Sequence, residues 1–281
     1  MTRLPPYRFL GRTAVVTGAA SGIGEELAYE LARRDSNLVL VDKDEQRLLA
    51  VADHIRGTIP GLVLKTIVAD LADRSAVDRV AKQILAGHPG IGLLVNNAGV
   101  ALAGRFDQIS VAQFETVMNV NFMAPMLLTH ALLPALRAEP GSHLVNVSSL
   151  FGLIAPAGQS AYSSSKFALR GLSQALHGEL ATVGVGVTTV HPGGVRTRIA
   201  ENSIVGTGVS AESAAIRGRA FNAILTYSPE RAARRIADAV ASRKSRLLIA
   251  RSARVPDALA RLTPAGHMAL MRTLGMLPRA K

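Results

Sequence analysis

Of the 281 residues, none is cysteine and none is tryptophan. The lack of cysteine excludes disulfides and thiolate-held metals and suits a reducing compartment. Seven histidines occur without paired spacing, so no metal site is expected. Aromatic residues make up 4% of the chain, leaving no stacking platform for nucleic acid. No long apolar run is unbroken. The most apolar window, Val117 to Leu136, is interrupted by Asn119, Asn121, Pro125, His130 and Pro134, which argues against a transmembrane helix. The opening Met1-Thr2-Arg3-Leu4-Pro5-Pro6 lacks the apolar stretch of a signal peptide. These exclusions lead us to expect a cytoplasmic protein. Lysine is also scarce, with six among 32 basic residues, so each lysine outside the tail merits inspection.

What is present suffices for a large core: 48% of residues are hydrophobic and 19% charged, values far from those of disordered chains. The length fits a single α/β domain spanning residues 1–281. The net charge of +12 is localised. From Arg217 onward there are 14 basic residues against three acids (Glu230, Asp238, Asp257), whereas the first 216 residues carry 18 bases and 17 acids. The sequence therefore divides into a core over 10–198, a looser stretch over 199–226 that could act as a lid, and a basic C-terminal extension over 228–281.

Short apolar runs alternate with helical patterns. Ala14-Val15-Val16, Leu38 to Val41, Val63 to Val68, Ile91 to Val95, His143 to Val147 and Val185 to Val190 read as strands. Helices are expected from Glu25 to Leu31, Asp44 to Ile55, Ser75 to Leu85, Val111 to Leu136 and Ala161 to Ala181. Continuous apolar strands separated by helices imply a parallel sheet buried on both faces. Right-handed crossovers then give a doubly wound α/β sheet, a Rossmann fold of about seven strands. Ser228-Pro229-Glu230 opens a further helix, with Ser at the cap and Pro in the first turn.

The first strand runs into Thr17-Gly18-Ala19-Ala20-Ser21-Gly22-Ile23-Gly24 and then a helix. Glycines there let the backbone turn tightly and approach a pyrophosphate at the positive end of the helix. At the tip of the second strand stands Asp42, 18 residues past Gly24. A carboxylate at this place accepts ribose hydroxyls and repels a 2′-phosphate, favouring NAD over NADP. The competing reading is a solvated acid or a helix cap before Asp44-Glu45, and the adjacent Lys43 could soften the discrimination.

Together with this turn, Asn96-Asn97-Ala98-Gly99, a serine, and Tyr162-xxx-Lys166 resemble the classical short-chain dehydrogenase/reductase family, in its order and spacing, over about residues 10 to 200. Tyr162 and Lys166, four apart on a helix, share one face. A free tyrosine titrates near ~10 and is a poor base at neutral pH, and a cation one turn away lowers its pKa. The resemblance implies that Tyr162 is the acid–base residue, that Lys166 also holds the nicotinamide ribose, and that Ser149 rather than Ser148 binds the substrate oxygen. It also implies a role for Asn121, through its backbone carbonyl, in a proton relay from Lys166. Cofactor contacts are implied for Gly18, Ser21, Gly22, Ile23, Gly24, Asp42, Asp70, Leu71, Asn97, Ala98 and Gly99, and for Tyr162 and Lys166. In the turn His191-Pro192-Gly193-Gly194-Val195-Arg196-Thr197, the resemblance implies contacts from Pro192, Gly193, Val195 and Thr197. His191, standing before Pro-Gly, reads as structural, as do Asn96 and Asn119.

The implied reaction is hydride transfer between nicotinamide and a carbon bearing oxygen. The segment Leu150-Phe151-Gly152-Leu153-Ile154-Ala155-Pro156 is unusually apolar for a loop, as are Val100 to Ala103 and, in the lid stretch, Ile204, Val205, Ile216 and Phe221. With Ser149, Phe151 and Tyr162 as substrate contacts, these walls suit a lipophilic secondary alcohol or ketone. The alternatives are an NADP-dependent ketone or 3-oxoacyl reductase, or a non-catalytic scaffold. The family resemblance implies a homodimer or homotetramer. Val255 to Leu262 and Met268 to Leu277 set apolar residues among bases, a pattern that could lie on an anionic membrane. No motif points to nucleic acid.

Overall fold

The computed structural model of the chain describes residues 4–199 and 201–274. In chain order its first half comprises β1 (Thr13–Thr17), α1 (Gly22–Ala32), β2 (Asn37–Asp42), α2 (Glu45–Thr58), β3 (Leu64–Val68), α3 (Arg74–Gly87), β4 (Leu93–Asn96), β5 (Leu102–Ala103), α4 (Val111–Met118) and α5 (Ala124–Ala138). Then follow β6 (His143–Val147), α6 (Ser160–Ala181), β7 (Gly186–Pro192), β8 (Ile204–Val205), α7 (Ala211–Ile224), α8 (Pro229–Ala241), β9 (Arg246–Ile249), α9 (Arg251–Leu262) and α10 (His267–Thr273).

Seven strands form one sheet in the order β3-β2-β1-β4-β6-β7-β9, every pair parallel. The fold is thus the expected doubly wound α/β sheet. Its strands carry continuous apolar runs because both faces are covered. On one face Leu27 and Leu31 of α1, Leu48 and Ile55 of α2 and Ile236 and Val240 of α8 pack over Val16, Leu40 and Val95. On the other, Val77 and Ile84 of α3, Leu128 and Leu132 of α5 and Leu180 of α6 pack over Val15, Val39, Leu94 and Leu144. The order reverses between β1 and β4, so their carboxyl ends diverge and leave the crevice where such sheets bind ligands.

Three local outcomes differ from the expectation. The run Val111 to Leu136 is not one α-helix, because a single π turn over Asn119–Met123 separates α4 from α5. The lid stretch holds a helix, α7, whose Ser210 cap accepts the Ser213 N–H at 3.3 Å. It is tied down by β8, which pairs with β5. The basic extension does not stand apart from the core. Ser228 caps α8 by accepting the Arg231 N–H at 3.2 Å, α8 lies on α1, and Arg246–Ile249 is the seventh strand of the sheet. The apolar run placed over Met268 to Leu277 is described only to Leu274, where α10 gives way; its last residues lie outside the described part.

Candidate active site

The crevice is built first by backbone ties. Thr17, the last residue of β1, accepts the N–H groups of Asn97 and Ala98 on its hydroxyl at 3.0 and 3.1 Å. Asn97 returns its side-chain amide to the carbonyls of Thr17 and Gly18, at 3.0 and 3.1 Å. These four bonds clamp the glycine turn against the end of β4. Sequence reasoning gave Asn97 to the cofactor and passed over Thr17; both side chains are engaged in joining the two halves of the crevice.

The turn can be made only of glycine where it is tightest. Gly18 and Gly22 have φ of +67° and +61°, conformations that side chains rarely tolerate. A Cβ on Gly24 would run into the Gly18 carbonyl and the Asn97 amide, and one on Gly22 would lie 2.9 Å from the Thr197 methyl. Ser21 stands at the cap of α1 but makes no side-chain capping bond, so the first turn, beginning at Gly22, Ile23 and Gly24, keeps N–H groups with no side-chain acceptor, the makings of an anion cradle. Thr197 is thereby set beside the cradle.

At the tip of β2, Asp42 accepts the Ala20 N–H on one carboxylate oxygen and the Asp44 N–H on the other, each at 3.0 Å. Each oxygen keeps lone pairs for further donors. The helix cap is Asp44, which accepts from Arg47, so Asp42 is free of that duty. Lys43 turns toward Asp70, 3.8 Å away, and Asp70 also accepts the Ala72 N–H. Leu71 is buried in the core with Ile67 and Ala98.

Tyr162 and Lys166 point from α6 toward the carboxyl end of β6, and both are buried. The Lys166 amine lies 5.8 Å from the centre of the Tyr162 ring and donates to the Val147 carbonyl at 3.0 Å. Burial pulls Lys166 down to about 8. Burial also pushes the Tyr162 phenol up, while the neighbouring Ser149 hydroxyl draws it down. The depression of Tyr162 expected from Lys166 is not seen; desolvation governs both groups and disfavours both charged forms. The two neighbouring serines separate cleanly. Ser148 donates to the Lys166 carbonyl at 2.9 Å and is spoken for, while Ser149 faces Tyr162. Phe151 stacks edge-on to Tyr162, with ring centres 6.1 Å apart.

Asn121 sits in the π turn, a feature frequent at functional sites. Its side chain bonds the Val100 N–H and carbonyl at 2.9 and 3.0 Å and the Ser165 hydroxyl at 3.0 Å. Pro125, four residues on, has no N–H to offer the Asn121 carbonyl. Gly99 lies between Asn121 and Lys166: a Cβ there would be 3.2 Å from the one side chain and 3.3 Å from the other. Asn96 instead points into the sheet, donating to Asn146 at 2.8 Å and Thr129 at 3.0 Å.

The Pro-Gly turn after β7 is held from the C-terminal segment. Gly193 donates to the Ile249 carbonyl and Gly194 to the Ser252 hydroxyl, both at 3.0 Å. Val195 is buried and bridges Tyr227. His191 is buried and its Nδ1 donates to the Ser149 carbonyl at 3.0 Å, because a carbonyl can only accept. Burial pulls this imidazole down to about 4, so it is neutral. Beside Tyr162, an apolar group gathers Val100, Leu102, Phe114, Val117 and Ile204 around Ala161. Of the lid residues named as walls, Ile204 joins it, while Val205 and Ile216 are exposed.

A family model described as short chain dehydrogenase matches residues 12–205. The chain belongs to the short-chain dehydrogenase/reductase family. SadH of Mycobacterium tuberculosis is 37% identical over 266 residues, covering 94% of this chain and 95% of its own. A short-chain dehydrogenase/reductase from Burkholderia phymatum, solved in complex with NAD, superposes with a TM-score of 0.83 at 26% identity over 91% of this chain and 95% of that one. A short-chain dehydrogenase from Sphingobium yanoikuyae, solved in complex with NADPH, gives 0.74 at 27% identity over 96% and 98%. As a short-chain dehydrogenase/reductase the chain is an oxidoreductase, and its family match ends at residue 205, before the strand and serine that hold the Pro-Gly turn.

Proposed function

We propose that this chain interconverts a secondary alcohol and a ketone with NAD(H). The observation that carries the reading is the meeting of Ser149, Tyr162 and Lys166 at the carboxyl edge of the sheet, beside a glycine cradle with no room for side chains. The cradle fits a dinucleotide: the open first turn of α1 would take the pyrophosphate, Asp42 the adenosine ribose, and Thr197 the carboxamide end. Asp70, Leu71, Ala98 and Gly99 line the path between, and Ile23, Pro192, Gly193 and Val195 shape its walls. When bound, the dinucleotide supplies the hydride acceptor or donor.

The chain's own residues handle the oxygen and its proton. Ser149 donates a hydrogen bond to the substrate oxygen and holds it against the Tyr162 hydroxyl. Tyr162 takes the alcohol proton at its phenolate oxygen during oxidation and returns it during reduction. Lys166, pulled down to about 8, exchanges protons near neutrality and passes them toward the Asn121 carbonyl. Phe151 and the apolar group around Ala161 exclude water and favour a lipophilic substrate.

Asp42 supports NAD, since a second phosphate on that ribose would meet its carboxylate. The NADPH in the Sphingobium relative, and Lys43 beside Asp42, favour a second reading as an NADPH-dependent ketone or 3-oxoacyl reductase. Calorimetric titration of NADH and NADPH into the wild-type chain and Asp42→Ala decides between them. NADH is expected to bind at least about ten-fold tighter, with the margin lost in the variant; tighter NADPH binding would overturn the NAD assignment. A non-catalytic scaffold, which would bind a dinucleotide without turnover, is disfavoured by the presence of both Tyr162 and Lys166.

Two associations complete the proposal. Copies pair through α5 and α6, where Phe167 is partly exposed, and sedimentation velocity would show a species of two or four chains. Val255, Ala258 and Leu262 form an exposed stripe on α9 flanked by Arg251 and Arg254, suited to an anionic membrane surface. Equal vesicle binding by the full chain and by one truncated after Pro256 would eliminate that contact.

A further inference from the structure

Two side chains outside the catalytic group grip the turn that carries Ser149. That turn, a 3₁₀ segment over Leu150–Gly152, begins at Ser149, whose hydroxyl accepts the Phe151 N–H at 3.1 Å. It is pressed onto α6: a Cβ on Gly152 would lie 2.8 Å from the Lys166 carbonyl. His191, at the end of β7, donates to the Ser149 carbonyl at 3.0 Å. Arg170 donates to the Gly152 carbonyl at 3.1 Å, and it stands on α6 one turn beyond Lys166 and two beyond Tyr162. The same helix stripe thus bears the acid–base pair and an anchor for the serine that faces it.

Arg170 makes no ion pair among the described residues; its one recorded side-chain bond goes to the main chain of this turn. Behind it, Asp257 of α9 is buried and held by Arg246 of β9 at 2.5 and 3.1 Å and by Arg261 at 3.2 Å. This ion cluster backs the layer in which His191 and Arg170 lie and acts on both. A neutral imidazole is the suitable anchor here, because a charged ring would stand among Arg170 and Arg246.

We propose that His191 and Arg170 are positioning residues that set the Ser149 hydroxyl against Tyr162 by fixing the two ends of the Ser149–Gly152 turn. The inference rests on the functional reading above, in which Ser149 binds the substrate oxygen. A donor lost at either carbonyl frees the turn, and the Ser149 hydroxyl then samples orientations that do not meet Tyr162; displacements of this kind cost rate rather than cofactor affinity.

The test compares His191→Phe, His191→Asn, Ser149→Ala and the double variant of His191→Phe with Ser149→Ala. Asparagine offers an amide N–H close to where the imidazole Nδ1–H lies; phenylalanine keeps the bulk and removes the donor. One readout is NAD⁺-driven oxidation of 2-octanol. The other, which needs no turnover, is the ¹³Cζ signal of Tyr162 among the four tyrosines, assigned with Tyr162→Phe, since this carbon senses the hydrogen bond at the phenol. We expect His191→Phe to lower kcat about ten-fold and to leave the KM for NAD⁺ within about two-fold. Its Tyr162 signal should move to the position seen in Ser149→Ala. His191→Asn should restore both, and the double variant should be no slower than Ser149→Ala, as expected when one residue acts through the other. Should His191→Phe fail to fold, Arg170→Met replaces it, with the same expected shift of the Tyr162 signal.

A Tyr162 signal unmoved in His191→Phe, multiplicative losses in the double variant, or an equal defect in His191→Asn would each overturn the positioning role. Ser149→Ala with wild-type turnover and an unmoved signal would instead remove the functional reading, and the inference with it.

Discussion

Acid should weaken this protein through a histidine remote from the site. His143, at the start of β6, is fully buried; its Nε2–H donates to Thr188 at 2.7 Å and its Nδ1 accepts from Arg243 at 3.0 Å. Both ring nitrogens are engaged in the neutral form, and burial next to the Arg243 charge pulls the imidazole from 6.5 down to about 3. The folded value is depressed, so the unfolded chain takes up the proton first. The stabilisation is whole above pH 6.5 and drains as pH falls toward 3. One pH unit corresponds to about 1.4 kcal/mol, so lowering the pH from 7 to 5 removes about 2 kcal/mol through this group. His143→Gln keeps an amide in the pocket and cannot titrate. Urea unfolding at the two pH values should therefore show the loss between them about 2 kcal/mol smaller in the variant than in the wild type. An identical loss in both proteins would refute the reasoning, because carboxylates and the other histidines are common to the two.

Two further outcomes follow from contacts at the crevice. Gly24→Ala drives a methyl into the Gly18 carbonyl and the Asn97 amide, so the cradle must open; calorimetry should find NADH binding weakened at least about 100-fold, with unfolding stability changed far less. Gln113 ties down the stretch after β8, which we read as a lid, by donating to the Val205 carbonyl at 2.9 Å and accepting the Thr207 N–H at 3.2 Å. Gln113→Ala should raise the KM for a lipophilic alcohol several-fold with little change in kcat, and a steady-state comparison on 2-octanol checks the split.

Much of the architecture was legible because parallel strands buried on both faces leave unbroken apolar runs. Leu38 to Val41 and His143 to Val147 could hardly be anything else. About seven strands were expected but only six were placed; the position of the seventh was missed since Arg246–Ile249 is short, lies at the sheet edge, and buries only alternate residues within a basic stretch. Helix α7 was invisible for a similar reason: among its described side chains none is buried, so they show no helical period. The π turn at Asn119–Met123 left one sign in the sequence, Pro125 four residues after Asn121. At the site, residue type and spacing marked the glycines, Asp42, Tyr162 and Lys166 as candidates, and the family's spacing alone set Ser149 apart from Ser148; all of them border one crevice. The anchors carried no such mark. Thr17, Arg170 and Ser252 act through main-chain groups of distant segments, and nothing in their own neighbourhoods marks them. The balance on Tyr162 was equally hidden, because desolvation depends on what the fold places around the ring rather than on the lysine one turn away.

The bonds from Ile249 and Ser252 to Gly193 and Gly194 bear on how such chains can be recombined. The C-terminal segment looks exchangeable between relatives, for the family model stops short of it. Yet the loop beside the cradle takes its shape from partners some sixty residues later in the chain. A graft that replaces the last segment while keeping residues 190–197 would separate donor from acceptor. Inheritance of the turn and of β9 with the start of α9 must therefore be joint, and a working chimera would need both from the same parent.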